Sequence, residues 1–246
     1  MLSPEEVTRY SRNITLREIG RDGQERLKNA RAVIIGAGGL GSPSSLYLAA
    51  AGIGNITIVD ADNVDATNLQ RQVLYNSGDI RKSKAETARE KLLGLNPFIN
   101  VKAVNTRIDS ENGPQILNGA DIILEGSDNF ETKFLVNDLA VKMGIPAIIA
   151  GISRFDGQVY GFHPEKHGCY RCIFESPPEM LTNCAIEGVL GSMAGVVGTI
   201  QATEAIKYIA GTDNIFGTLL LIDTLHMEFR KIRVSRNSSC SACSSR

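Results

Sequence analysis

The sequence predicts an α/β fold built on one mixed sheet, parallel in its first half and antiparallel in its second. Short segments rich in Val and Ile alternate with helical segments up to residue 150. Such alternation is typical of a parallel sheet that is covered by helices on both faces. A glycine-rich turn directly follows the first apolar segment, and two separated pairs of cysteines occur only after the alternation stops.

The first half of the chain begins with a helix and then alternates strands with helices. Ser3, Pro4 and Glu6 form a helix-start pattern, in which Ser3 is the cap and Glu6 completes a capping box. The predicted strands cover residues 32–35, 56–59, 99–104, 121–124 and 146–150. The predicted helices cover residues 42–51, 83–95, 109–117 and 131–143, and a polar loop spans 61–80. Loops of that length are often functional.

The second half of the chain has a different pattern. An antiparallel strand is predicted at 158–162, an irregular segment at 163–190, a buried helix at 191–209 and late strands at 219–222 and 229–234. The serine-rich tail from residue 235 would be disordered if nothing held it. We expect one domain, 1–246, made of the halves 1–150 and 151–246.

The composition restricts the classes of function. The chain has 246 residues with 26 Lys plus Arg against 27 Asp plus Glu, a net charge of −1. A near-neutral chain argues against a nucleic-acid partner, because such proteins carry a basic excess. No apolar stretch is long enough for a membrane span, and the N-terminus lacks a secretory signal. We therefore expect a cytoplasmic protein without a membrane partner.

The glycine-rich turn predicts a Rossmann-like nucleotide-binding core. Gly36, Gly38 and Gly41 follow the first strand and open a helix, and Asp60 ends the next strand. In this pattern the glycines allow a tight turn and close approach of phosphate, and the carboxylate accepts hydrogen bonds from ribose. The alternative is a purely structural turn. NAD and ATP share this motif, so it leaves the nucleotide open.

Polar residues after Asp60 favour a triphosphate. Asn68, Arg71 and Lys84 would neutralise charge during attack on phosphorus, although a solvated loop is the alternative. Asp128 follows the strand at 121–124, and the carboxyl ends of parallel strands share one crevice, so Asp60 and Asp128 would face each other there. One or two carboxylates beside phosphate suit Mg²⁺. The alternative is that Asp128 caps the following helix.

The five cysteines divide into four and one. Cys169 and Cys172 form one Cys-x-x-Cys pair, and Cys240 and Cys243 form another. Together they supply four sulfurs for a tetrahedral Zn²⁺ site that would hold the tail and be structural; two redox dithiols are the alternative. Cys184 remains, either as an incidental thiol or as a nucleophile.

These motifs together resemble the adenylating enzymes of ubiquitin-like sulfur carriers, the HesA/MoeB/ThiF family, which includes the molybdopterin-synthase and thiamine sulfur-carrier adenylyltransferases. The matching segments are Arg9-Tyr10-Ser11-Arg12, Gly36-Ala37-Gly38-Gly39-Leu40-Gly41, Asn68-Leu69-Gln70-Arg71-Gln72, Ser127-Asp128-Asn129, Cys169-Tyr170-Arg171-Cys172 and 198–207. They extend over essentially the whole chain. Asn13 and Glu125-Gly126 depart from the family pattern, which usually has Gln and Asp-Cys at these places.

The resemblance implies a reaction, in which the C-terminal glycine of a carrier ending in Gly-Gly attacks the α-phosphorus of ATP to give an acyl-adenylate and pyrophosphate. It implies that Asn68, Arg71, Lys84 and Asp128 are catalytic, that Asp128 holds Mg²⁺, and that Arg12 reaches into the partner subunit of a homodimer. The implied nucleotide contacts are Gly36, Gly38, Gly39, Gly41, Asp60, Asp62, Asn68, Arg71, Lys84, Asp128 and Asn129.

The resemblance leaves several questions open. Cys184 matches a cysteine that takes part in sulfur transfer in the thiamine branch, and the lack of a rhodanese domain implies a separate sulfur donor protein. The molybdopterin-type carrier is favoured and the thiamine type is next. Competing hypotheses are an NAD-dependent oxidoreductase, a non-catalytic zinc module, and a relative that adenylates a tRNA base or a small molecule.

Overall fold

The computed structural model describes residues 1–176 and 188–244, and its strands form one eight-stranded sheet. The strands are β1 (Arg31–Ile35), β2 (Asn55–Val59), β3 (Asn100–Val104), β4 (Ile122–Glu125), β5 (Ala147–Ser153), β6 (Asp156–Phe162), β7 (Thr218–Asp223) and β8 (Glu228–Arg233). Their order is β3-β2-β1-β4-β5-β6-β7-β8. Strands β1 to β5 pair in parallel, whereas β6, β7 and β8 are added in antiparallel fashion. The predicted mixed sheet is confirmed.

The helices of the described residues are α1 (Pro4–Arg9), α2 (Ser11–Ile14), α3 (Gly20–Asn29), α4 (Gly41–Ala51), α5 (Lys84–Leu95), α6 (Gly113–Leu117), α7 (Phe130–Met143) and α8 (Gly191–Ala210). The predicted capping box is present, because the Glu6 N–H donates to the Ser3 hydroxyl and the Ser3 N–H donates to the Glu6 carboxylate. None of these helices of the described residues combines the length and the apolar composition that a membrane span needs.

The sheet separates two apolar cores, as alternation of side chains along each strand requires. Ile34 and Ile58 lie in the core that is shared with α4, α5 and α8. Val33 and Ile35 lie in the opposite core, which is shared with α6 and α7 and extends to the buried cysteines near the tail.

One predicted helix is wrong at its start. Residues 109–112 form a turn, and α6 begins only at Gly113. The Asp109 carboxylate accepts the backbone N–H groups of Glu111 and Asn112, both at 2.8 Å. These local hydrogen bonds offer the backbone an alternative to the helical pattern.

Candidate active site

A cavity of about 1470 Å³ lies outside the carboxyl ends of the parallel strands. The strand order reverses between β1 and β4, and ligands of open α/β sheets bind at such a switch point. Its lining includes nine of the predicted site residues: Gly36, Gly38, Gly39, Asp60, Asp62, Arg71, Lys84, Asp128 and Asn129. This volume exceeds the roughly 300–1,000 Å³ of typical small-molecule sites.

The glycine loop turns tightly between β1 and α4. Gly36 has φ +88°, in the left-handed region that favours glycine. A Cβ on Gly41 would lie 1.9 Å from the Gly36 carbonyl oxygen. Gly41 therefore has a packing role in the turn and does not line the cavity, whereas Gly38 and Gly39 do.

Asp60 holds the glycine loop through its backbone. One carboxylate oxygen accepts the Ala37 N–H at 2.7 Å, and the other accepts the Asp62 N–H at 2.8 Å. Burial raises the pKa of the Asp60 carboxylate, while Lys84 and the two N–H donors act in the opposite direction.

Lys84 lies at the first position of α5 with its side chain buried in the cavity wall. Its ammonium is 3.3 Å from the exposed carboxylate of Asp62. The Tyr75 hydroxyl lies 2.9 Å from the Ala37 carbonyl oxygen and 3.2 Å from that of Lys84. This tyrosine therefore fixes the start of α5 against the glycine loop.

The polar loop brings Arg71 into the cavity but leaves Asn68 outside its lining. The Arg71 backbone N–H donates to the Asn68 carbonyl at 3.1 Å, so the two residues share a short helical turn. The guanidinium donates to the Thr67 carbonyl at 3.2 Å. The loop thus supplies one cation from a locally ordered turn.

Asp128 is exposed in the cavity. The alternative prediction, that Asp128 caps the following helix, is wrong. Asn129 caps α7, because its side-chain oxygen accepts the Thr132 N–H at 2.8 Å. The Asp128 carboxylate is therefore not used as a helix cap. Its oxygens are suitable ligands for a hard cation.

Like Asn68 and Gly41, Arg12 lies outside the lining of the cavity in the described chain. It is exposed on α2. Cys184 lies outside the described residues.

The two cysteine pairs meet in one cluster. Their four sulfur atoms all lie within 4.8 Å of one another. The Cys169 and Cys240 sulfurs are 3.6 Å apart, and those of Cys172 and Cys243 are 3.5 Å apart. A tetrahedral Zn²⁺ with bonds of about 2.3 Å requires sulfur separations of about 3.8 Å. The cluster can therefore hold a metal ion.

The cysteine cluster also contacts the helix that follows Asp128. The Tyr170 N–H donates to the Asn137 side-chain oxygen at 2.7 Å. The Arg171 guanidinium donates to both carboxylate oxygens of Asp138, at 2.7 and 2.8 Å, and lies 4.6 Å from the centre of the Phe134 ring. The first cysteine pair is thereby docked on α7.

Sequence reasoning missed several residues of the cavity. Gln72 is buried, lines the cavity and has a side-chain oxygen without a hydrogen-bond partner in residues 1–176 and 188–244. Arg107 and Asp109 follow β3, so the strand-end rule could have identified them. Lys133 also lines the cavity, and its partner Glu125 is eight residues away, a spacing with no motif.

Comparison with known proteins decides the family. The ThiF family profile matches residues 10–242. The chain belongs to the ThiF family. The sulfur carrier protein adenylyltransferase of Thermus thermophilus is 46% identical over 97% of this chain and 91% of its own length. The SAMP-activating enzyme E1 of Haloferax volcanii is 42% identical over 98% of this chain and 90% of its own.

Longer relatives and solved structures agree with this ThiF assignment. The probable adenylyltransferase/sulfurtransferase MoeZ of Mycobacterium tuberculosis is 46% identical over 97% of this chain, which spans 62% of MoeZ. The crystal structure of Escherichia coli MccB with ATP superposes with a TM-score of 0.85 and 29% identity, covering 96% of this chain and 74% of that one. The predicted family is confirmed.

Proposed function

We propose that this ThiF family member adenylylates the C-terminal glycine of a ubiquitin-like sulfur carrier. The observation that carries the proposal is that one cavity of about 1470 Å³ brings together the glycine loop, Asp60, the cations Arg71 and Lys84, and the exposed Asp128. Relatives that are 46% and 42% identical are named as an adenylyltransferase of a sulfur carrier protein and a SAMP-activating enzyme.

The residues of the cavity suit this reaction. Asp60 would accept hydrogen bonds from ribose, and Gly38 and Gly39 would leave space for phosphate beside the backbone. A carboxylate oxygen of the carrier forms a bond to the α-phosphorus, and the bond from that phosphorus to the pyrophosphate oxygen breaks. Arg71 and Lys84 would offset the negative charge that builds on phosphorus.

Two metal ions fit the donor sets. Asp128 would hold Mg²⁺, which neutralises phosphate charge when bound. The four cysteines would hold a structural Zn²⁺, because four sulfurs close its coordination sphere. The ion would join the tail at Cys240 and Cys243 to the body of the chain.

The NAD-dependent oxidoreductase is disfavoured by the same cavity. Hydride transfer gives no reason to place both Arg71 and the buried Lys84 beside the glycine loop, whereas a triphosphate needs cations there.

Arg12 would act from the partner subunit of a homodimer, and a separate protein would donate sulfur.

Exchange of labelled pyrophosphate into ATP tests the proposal. It should require a carrier ending in Gly-Gly and should disappear when the last glycine of that carrier is removed. Molybdopterin-type and thiamine-type carriers would be compared side by side, with faster exchange expected for the first. Absence of exchange with every such carrier would overturn the proposal, and binding of NAD without ATP would replace it with the oxidoreductase.

A further inference from the structure

An ion pair is buried directly beneath the loop that carries Asp128. Glu125 ends β4 with its side chain fully buried, and the side chain of Lys133 is only 5% exposed. The Lys133 ammonium lies 2.7 Å from one carboxylate oxygen of Glu125. Glu125, where the sequence departs from its family pattern, therefore lies beneath Gly126 and Ser127, which line the cavity.

This pair fixes the backbone of Ser127. The second oxygen of Glu125 accepts the Ser127 N–H at 2.8 Å and also the Ser127 hydroxyl. The Lys133 ammonium donates to the carbonyl oxygens of Ser127 and Ala150, both at 2.7 Å. With the bond to Glu125, all three donors of the ammonium are used. Lys133 therefore has no free donor for a ligand.

The network holds the backbone on one side of Asp128, and the α7 cap holds it on the other. Ser127 precedes Asp128 and is bound at its N–H, hydroxyl and carbonyl groups. Asn129 follows it and caps α7. The Asp128 side chain itself is exposed. A rigid backbone thus presents a carboxylate to the cavity.

Stability alone is a weak reason for such a pair, because a buried ion pair often contributes no more than apolar residues of similar volume. We propose that Glu125 and Lys133 are positioning residues that hold Asp128 in the geometry for binding the metal ion of the nucleotide. This inference rests on the proposed function, since it concerns the role assigned there to Asp128.

The affinity of the protein–ATP complex for Mn²⁺, followed by electron paramagnetic resonance, tests this inference without a carrier. Mn²⁺ takes the same oxygen ligands as Mg²⁺. Lys133→Met should raise the Kd for Mn²⁺ about tenfold or more, the size of effect seen when partners of metal ligands are removed. In an Asp128→Asn background the same change should alter the Kd less than about twofold, because coupled residues are non-additive.

The double variant Glu125→Gln with Lys133→Met removes the unpaired buried charge that Lys133→Met alone would leave. It should keep the fold, checked by its Tm, and still bind Mn²⁺ about tenfold more weakly. Lys207→Met is the matched control, because Lys207 pairs with the buried Glu204 at 2.8 Å and does not line the cavity. Its Mn²⁺ affinity should stay at the wild-type value.

The outcomes separate this inference from the proposed function. Folded Glu125 and Lys133 variants with wild-type Mn²⁺ affinity would overturn the positioning role alone. An equal loss in the Asp128→Asn background would also overturn it, because the effect would not pass through Asp128. A wild-type chain that binds no ATP with Mn²⁺ would overturn the proposed function and this inference together.

Discussion

In the parallel half of the sheet, the loops that leave β1, β2 and β4 line the cavity. In the antiparallel half, the cysteine cluster joins segments 169–172 and 240–243, which are distant in sequence. The side chains of Asp62 and Asp128, which line the cavity, are exposed and belong to neither apolar core. Cys169, Cys240 and Cys243 are themselves part of a core. Substitutions should therefore change chemistry in the first region and stability in the second.

Loss of the metal should have the largest effect and should act on stability. Cys172→Ser or Cys243→Ser should lower the free energy of unfolding by about 4 kcal/mol or more, as loss of a structural metal does. Denaturant unfolding and metal analysis would measure this, with one ion expected per wild-type chain. Cys184→Ser, in neither pair, is the control. If Cys172→Ser and Cys243→Ser both kept their full metal content, the expected role of the cysteine cluster in stability would be wrong.

Asp128→Ala should leave stability intact and act on the reaction. Carrier-dependent pyrophosphate exchange should fall about 10²- to 10³-fold, the size of effect expected for a group that stabilises developing charge. The free energy of unfolding should change by less than about 0.5 kcal/mol, as for other exposed side chains. Glu111→Ala, exposed and outside the cavity lining, is the matched control and should exchange normally. Equal rates for both variants would contradict the role of Asp128.

The glycine loop also lies in the parallel half, but substitutions there should affect stability, because its constraint is a close backbone contact and not a side chain. Gly41→Ala places a methyl group against the Gly36 carbonyl and should cost about 1–3 kcal/mol of stability. Gly94 lies in α5, where an added Cβ would meet no atom within 4 Å beyond its chain neighbours and its own helix backbone, so Gly94→Ala should stabilise by about 0.5 kcal/mol. Thermal unfolding of the two variants would measure the difference, and similar Tm values would refute the close approach.

Asp60 should give the smallest effect, a dependence of ATP affinity on pH. Burial raises its folded-state pKa, so the ionised form costs stability at neutral pH, and this cost is relieved progressively as pH falls from the folded pKa towards the lower unfolded pKa. Because the ionised form accepts hydrogen bonds from ribose, ATP affinity should fall with decreasing pH, earlier than for an ordinary aspartate. Calorimetry from about pH 8 to about pH 4 should show this step in the wild type. This fall in ATP affinity should be absent in Asp60→Asn. If it persisted in that variant, another titrating group would be its cause.

The sequence predicted the fold well where the signal is local. Apolar strand segments, the Ser3 cap and the glycine turn each act over a few residues, and all are present. The first turn of the predicted helix at 109–117 failed because Asp109 and Asn112 hydrogen-bond the nearby backbone. The helical spacing of apolar residues carries no information about such competing hydrogen bonds.

Parts of the candidate site could not be predicted from spacing. Glu125 and Lys133 meet because β4 and α7 pack together, and Tyr75 reaches the glycine loop from a distant segment. The four cysteines were predicted from their pairs, and their sulfurs do converge. The functional roles of the cavity residues remain predictions that the variants above would test.

Intact-mass spectrometry of the carrier, after incubation with the protein, ATP and Mg²⁺, would detect the acyl-adenylate itself. We expect a carrier whose mass has increased by one adenylate, located on the C-terminal glycine and formed about 10²- to 10³-fold more slowly by Asp128→Ala than by the wild-type chain. An unmodified carrier, or an adenylate at another residue of the carrier, would contradict it.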